Sequence, residues 1–181
     1  MRSVIVLFLV AFLSGNTLFA QEKLTRKEKK EKERIEREAK KQELLSLINS
    51  RQFVLEASRV QDKEGKVLTL TPLINFLIVQ GDTETLQFGL EGQLGWNGLG
   101  GITLEGKING FTVKEGKPGK YFNVTIRVAG AGMYSHQFLT VYPDGRAEME
   151  VSGDRGGRFT FYGKIKPLSD ARIYRSTPDN K

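Results

Sequence analysis

Between Phe53 and Ile165 apolar side chains recur at every second position, and this period of two restricts the chain more than any other feature. Side chains alternate between the two faces of a strand, so a chain patterned in this way buries its apolar set by forming sheet. Phe53, Leu55 and Ala57 face one way, with Glu56 and Ser58 opposite. Ile102, Leu104, Gly106 and Ile108 alternate with Thr103, Glu105 and Lys107. The cleanest face is Phe122, Val124, Ile126 and Val128, opposite Asn123, Thr125 and Arg127. Ala147, Met149 and Val151 repeat the pattern, and Phe159, Phe161, Gly163 and Ile165 complete it. Phe76 to Gln80 is nearly continuously apolar and suits a central strand.

Turn chemistry separates these runs. Asp62-Lys63-Glu64-Gly65, Gly81-Asp82 and Pro143-Asp144-Gly145 are turn sequences. Asn109-Gly110 predicts a hairpin turn, because both residues tolerate positive φ. The expected fold is mainly β, an antiparallel sandwich or partly closed barrel of about eight or nine strands, preceded by one long charged helix. No strand–helix–strand alternation is present, which argues against doubly wound and TIM architectures.

The two ends have different compositions. Arg2 precedes an unbroken apolar run, Val4–Leu13, and Leu18-Phe19-Ala20 then leads to Gln21. This predicts an export signal over residues 1–20, with an uncleaved N-terminal anchor as the alternative. The run is shorter than the about 20 apolar residues of a spanning helix. A periplasmic or secreted location follows as an expectation, with no stable membrane span after cleavage. The chain has no cysteine, which excludes disulfides, thiolate catalysis and lipid attachment through cysteine.

Residues 21–50 are expected as a charged helix. Thr25-Arg26-Lys27-Glu28 reads as a capping box. Opposite charges then stand three or four residues apart, such as Glu28 with Lys32 and Glu33 with Arg37. Only Ile35 and Ala39 are apolar between Thr25 and Glu43, so this half projects into solvent; Leu44, Leu45, Leu47 and Ile48 pack on the β domain, residues 51–168. Residues 169–181 are polar and proline-interrupted, and predict a mobile tail. Formal charge is +7, but ten Lys and Arg face seven Glu between Gln21 and Glu43, which leaves the arm mildly basic and argues against nucleic acid as a partner.

The stretch Phe88–Gly110 holds eight glycines and the single tryptophan. A phosphate loop would follow a strand and open a helix. Here a strand follows, so the glycines read as a long connection and no cofactor is expected. Candidate ligand-binding residues are Trp96 and Phe88 at this connection, with Tyr134 and His136 on one face of a later strand. One histidine cannot form a multi-histidine zinc site. Glu91, Glu105 and His136 are the residues a hydrolase would use, and nothing in their spacing places two of them together.

Feature order from about Leu44 to Leu168 resembles a family of uncharacterised exported proteins of Bacteroidetes, domain-of-unknown-function family 4251. The resembling residues are Phe53-Val54-Leu55-Glu56-Ala57, then Phe76-Leu77-Ile78-Val79 before Gly81-Asp82, and Leu86-Gln87-Phe88-Gly89. Gly101 to Ile108, Phe138-Leu139-Thr140-Val141 before Asp144-Gly145, and Tyr162-Gly163-Lys164-Ile165 follow in order. The resemblance implies an envelope location and carries no activity or site residues to transfer.

The function expected from the sequence is a non-enzymatic binding module for an apolar or glycan-like ligand or an envelope protein. The competing readings are an interaction protein working through its charged helix, and a hydrolase.

Overall fold

The computed structural model describes residues 25–89, 101–130, 133–153 and 158–175. The described residues divide into two units, one ending at Ile35 and the other beginning at Glu36. Helix α1 runs Arg26–Ser50. Its start is the predicted capping box: the Thr25 amide donates to Glu28 Oε2 at 2.8 Å, and the Glu28 amide donates to Thr25 Oγ1 at 3.3 Å. These bonds hold the Glu28 carboxyl below its ordinary range, the backbone bond from Thr25 contributing most. Within the second unit, Leu44 and Ile48 are buried on the β domain. Among the described residues no helix is long and apolar enough to cross a membrane.

Nine strands follow: β1 Gln52–Asp62, β2 Val67–Thr69, β3 Phe76–Gln80, β4 Thr83–Gly89 and β5 Gly101–Glu115, then β6 Phe122–Gly130, β7 Met133–Val141, β8 Arg146–Gly153 and β9 Arg158–Pro167. All pair antiparallel. β1 also pairs with β9, which closes eight strands into a barrel and leaves β2 as an extra strand beside β1. Of the two expected architectures the barrel is the one found, and it is fully closed where a partly closed one was expected. Closure removes the open sheet edges that a sandwich would leave.

The interior is the predicted alternating set. Phe53, Leu55, Leu77, Phe122, Val124, Ile126, Leu139, Val141, Met149 and Phe161 are all buried in one cluster that includes Leu44 and Ile48. An eight-stranded barrel is just wide enough for side chains to fill it. The last turns of α1 therefore join the core at the end where Lys41 meets Glu115 at 2.8 Å and Arg51 lies over the Phe111 ring.

Two features depart from the sequence expectation. Asn109-Gly110 is not a hairpin turn. β5 runs straight through it, and the register with β6 shifts between Ile108 and Gly110. The extra residue is a β-bulge, and it reverses the alternation. Ile108 faces inward before the bulge, and Phe111 and Val113 pack on the same core after it. A turn there would have left Phe111 and Val113 without Val124 and Ile126 as partners.

The chain after residue 168 is also held further than expected. Leu168, Ala171 and Ile173 pack on Val54, Phe76 and Ile78, on the outer face of β1 and β3. The Tyr174 amide donates to the Leu73 carbonyl at 2.7 Å, and Gln87 Nε2 donates to the Tyr174 carbonyl at 2.8 Å. This cover explains why Phe76 to Val79 is apolar at every position, since both faces of β3 are buried. Residues 176–181 lie outside the described residues.

Candidate functional site

The structure separates the residues that the sequence grouped as a ligand site. Phe88 points into the barrel, where its ring meets Phe161 edge-on at 5.6 Å and Phe159 at 6.3 Å. Tyr134 and His136 project outward from β7, and Tyr134 is exposed. These residues occupy opposite faces of the barrel wall and cannot share one ligand. Trp96 lies outside the described residues. Of the hydrolase set, Glu105 and His136 are exposed on β5 and β7 with β6 between them, and Glu91 lies outside the described residues.

Inside the barrel two polar side chains meet that the sequence reading passed over. Glu84 on β4 and Gln137 on β7 are buried, and Gln137 Nε2 donates to Glu84 Oε1. Burial pushes the Glu84 carboxyl up to about 7, opposed in part by the Gln137 hydrogen bond. Glu84 Oε2 and Gln137 Oε1 have no hydrogen-bond partner among the described residues. The signal was present in strand parity: Glu84 shares a face with Leu86 and Phe88, and Gln137 with Leu139 and Val141.

A groove of mixed chemistry lies on the outer wall, over β8, β9 and the middle of β1. It measures about 510 Å³. Outward residues of three strands meet there because β1 closes on β9: Glu56 stands opposite Lys164, Arg59 opposite Tyr162, and Arg146 opposite Lys164 on the other side. A register shift between Ala57 and Arg59 bends β1 at this point and brings Arg59 to the outer wall. Gly163 forms part of the floor.

Two tyrosines stand in this groove, each bearing a guanidinium. Arg59 Cζ lies 5.2 Å from the Tyr162 ring centroid and Arg146 Cζ lies 5.6 Å from that of Tyr142. The Tyr162 hydroxyl donates to Gln61 Oε1 at 2.9 Å, and the Tyr142 hydroxyl donates to Glu148 Oε1 at 3.2 Å. Burial, with the Glu148 carboxylate beside it, raises the Tyr142 phenol above its ordinary value. Glu56 is engaged by Lys166 Nζ at 2.6 Å and by the Arg172 amide at 3.1 Å. The groove is thus lined by two tyrosines, four cations and two carboxylates, and Glu56 and Glu148 are tied to neighbours. A second groove, over β3, β4 and β5, is lined by Asp82, Glu105 and Lys107 and has no aromatic side chain. Among the described residues no three His, Cys, Asp or Glu side chains come together so as to hold a metal ion.

Comparison with known proteins bears on the fold and the family. No curated protein matches this chain. Among solved structures, it is similar to the crystal structure, at 1.95 Å resolution, of a DUF4251 family protein from Bacteroides eggerthii DSM 20697. The two are 26% identical with a TM-score of 0.61, over 74% of this chain and 91% of that one. The family model of the domain of unknown function DUF4251 matches residues 35–165, so it takes in the second part of α1 as well as the barrel. An eight-stranded barrel with the last turns of α1 packed on its core is the form that this sequence gives to that domain, and the chain belongs to the DUF4251 family.

Proposed function

We propose that the protein is an exported, non-enzymatic binding module that takes a glycan-like ligand in the outer groove over β8, β9 and β1. The observation that supports this reading is the groove itself, about 510 Å³ with Tyr142 and Tyr162 set among charged and hydroxyl side chains. Small-molecule sites measure roughly 300–1,000 Å³ and combine ring surfaces with a few placed polar groups. A sugar presents both kinds of surface, apolar ring faces and a rim of hydroxyls, and an aromatic ring with a polar tip suits it. The polar lining favours such a ligand over a purely apolar one. Export is inferred from the apolar run Val4–Leu13 after Arg2, with Ala20 at the cut.

The test is a panel of neutral and charged oligosaccharides read by thermal shift and native mass spectrometry on residues 21–181. At least one should raise the melting temperature of the wild type. Tyr162→Ala, checked for native circular dichroism, should weaken that ligand by about tenfold, the order of one lost base–aromatic-type stacking contact. Failure of every oligosaccharide to bind, or unchanged affinity in a folded Tyr162→Ala chain, would show the reading to be wrong.

A further inference from the structure

The groove gathers more cations than carboxylates, and this points to the sign of its ligand. Arg146 and Lys164 are direct cross-strand partners on β8 and β9, and both line the groove. Like charges directly opposite one another oppose strand pairing, and here Glu56, opposite Lys164 on β1, offsets part of that repulsion. Four cationic side chains, Arg59, Arg146, Lys164 and Lys166, stand there against two carboxylates, Glu56 and Glu148. Their compensation is unequal. Lys166 is paired with Glu56 at 2.6 Å, and Arg146 is held through Nε by Asp144 at 2.6 Å. Lys164 and Arg59 have no carboxylate partner among the described residues, and both are exposed. Arg59 lies over a tyrosine ring instead. A guanidinium in that position keeps the donors in its own plane available for a carboxylate.

We propose that the groove binds an acidic oligosaccharide, one of whose carboxylates sits between Arg146 and Lys164 with Arg59 beside it. The inference rests on the glycan-binding reading above and adds the charge of the sugar. An anion at this position converts a repulsive pair into two charge-assisted hydrogen bonds.

The inference is tested by calorimetry on residues 21–181 with a linear hexa-uronate, its fully methyl-esterified counterpart and inorganic polyphosphate. Expected are uronate binding at least about tenfold tighter than the uncharged ester, a fall in affinity with added salt, and a roughly tenfold loss of uronate affinity in Lys164→Gln that exceeds any change for the ester. Equal binding of uronate and ester overturns the charge inference and leaves the glycan reading standing. Binding of neither overturns both. Polyphosphate binding more tightly than uronate marks a general polyanion surface and overturns the inference.

Discussion

Glu84 and Gln137 meet across the barrel interior, where a carboxylate is poorly solvated. Gln137 Nε2 supplies one bond, and it leaves Glu84 Oε2 and Gln137 Oε1, both acceptors, without a donor. A proton on Glu84 Oε2 converts it into a donor that Gln137 Oε1 can accept, so the neutral acid suits this interior better than the anion. Burial raises the folded-state value from 4.5 to about 7. The folded chain thus holds a proton that the unfolded chain releases across that interval. Stability from this group is fully present below about pH 4.5, is lost as pH rises towards about 7, and changes no further above it. The size of the effect is about 3 kcal/mol. Urea midpoints measured from pH 5 to 8 should fall in the wild type. Glu84→Gln, which cannot titrate, should remove that fall; parallel profiles for the two chains would exclude Glu84 as its source. Both residues sit on inward positions that alternation marks. That they face each other depends on closing the barrel, which sequence patterning does not describe.

Among the elements, β1 and β9 form the seam of the barrel, and Gly163 lies in that seam. A Cβ at Gly163 would come within 2.0 Å of the Glu56 carbonyl oxygen and 2.8 Å of its carbon. Those atoms are backbone, held by the pairing of Glu56 with Lys164, so relief requires opening the seam. Gly110 offers a contrast, because a Cβ there meets only the guanidinium end of Arg127, which can swing aside. Gly163→Ala should destabilise the chain by about 3 kcal/mol, at the upper end of overpacking costs, and Gly110→Ala by under about 1 kcal/mol. Chemical denaturation of the two variants compares them directly, and equal losses would mean that the seam yields as easily as the bulge. The strands themselves were legible from their alternation, β6 and β8 above all. Asn109-Gly110 was misread because the dipeptide serves equally in a turn and in a bulge. Only the need to keep both Ile108 and Phe111 facing the core selects the bulge.

For the whole molecule, the two terminal segments differ in what they contribute. Residues 26–40 of α1 are exposed, and their opposite-charge pairs add only about 0.2–0.5 kcal/mol each to the helix. Leu168, Ala171 and Ile173, in contrast, cover Val54, Phe76 and Ile78. Ending the chain at Pro167 should cost on the order of 3–5 kcal/mol through exposure of that outer face. Deleting residues 26–40 should leave the denaturation midpoint of the barrel nearly unchanged. A truncation at Pro167 as stable as the full chain would show that the outer face of β3 tolerates water. The groove belongs to this scale too. Its outward residues, Arg146, Glu148, Tyr162 and Lys164, are visible along β8 and β9 as the positions opposite the core set. Arg59 and Glu56 join them from a strand about a hundred residues earlier, and only the β1–β9 pairing brings them there.

What the sequence by itself determined about this protein is local: the faces of the strands, the turn at Pro143-Asp144-Gly145, the capping box at Thr25 and Glu28, and the division of α1 into an exposed half and a packed one. Each follows from residues within a few positions of one another, where backbone geometry and side-chain period settle the outcome. The tertiary structure decided the closure of the sheet, the bulge at Asn109-Gly110, the docking of residues 168–175, and which charged side chains share a groove. Those depend on which distant strands pair and in what register, and period-two patterning is compatible with more than one such arrangement.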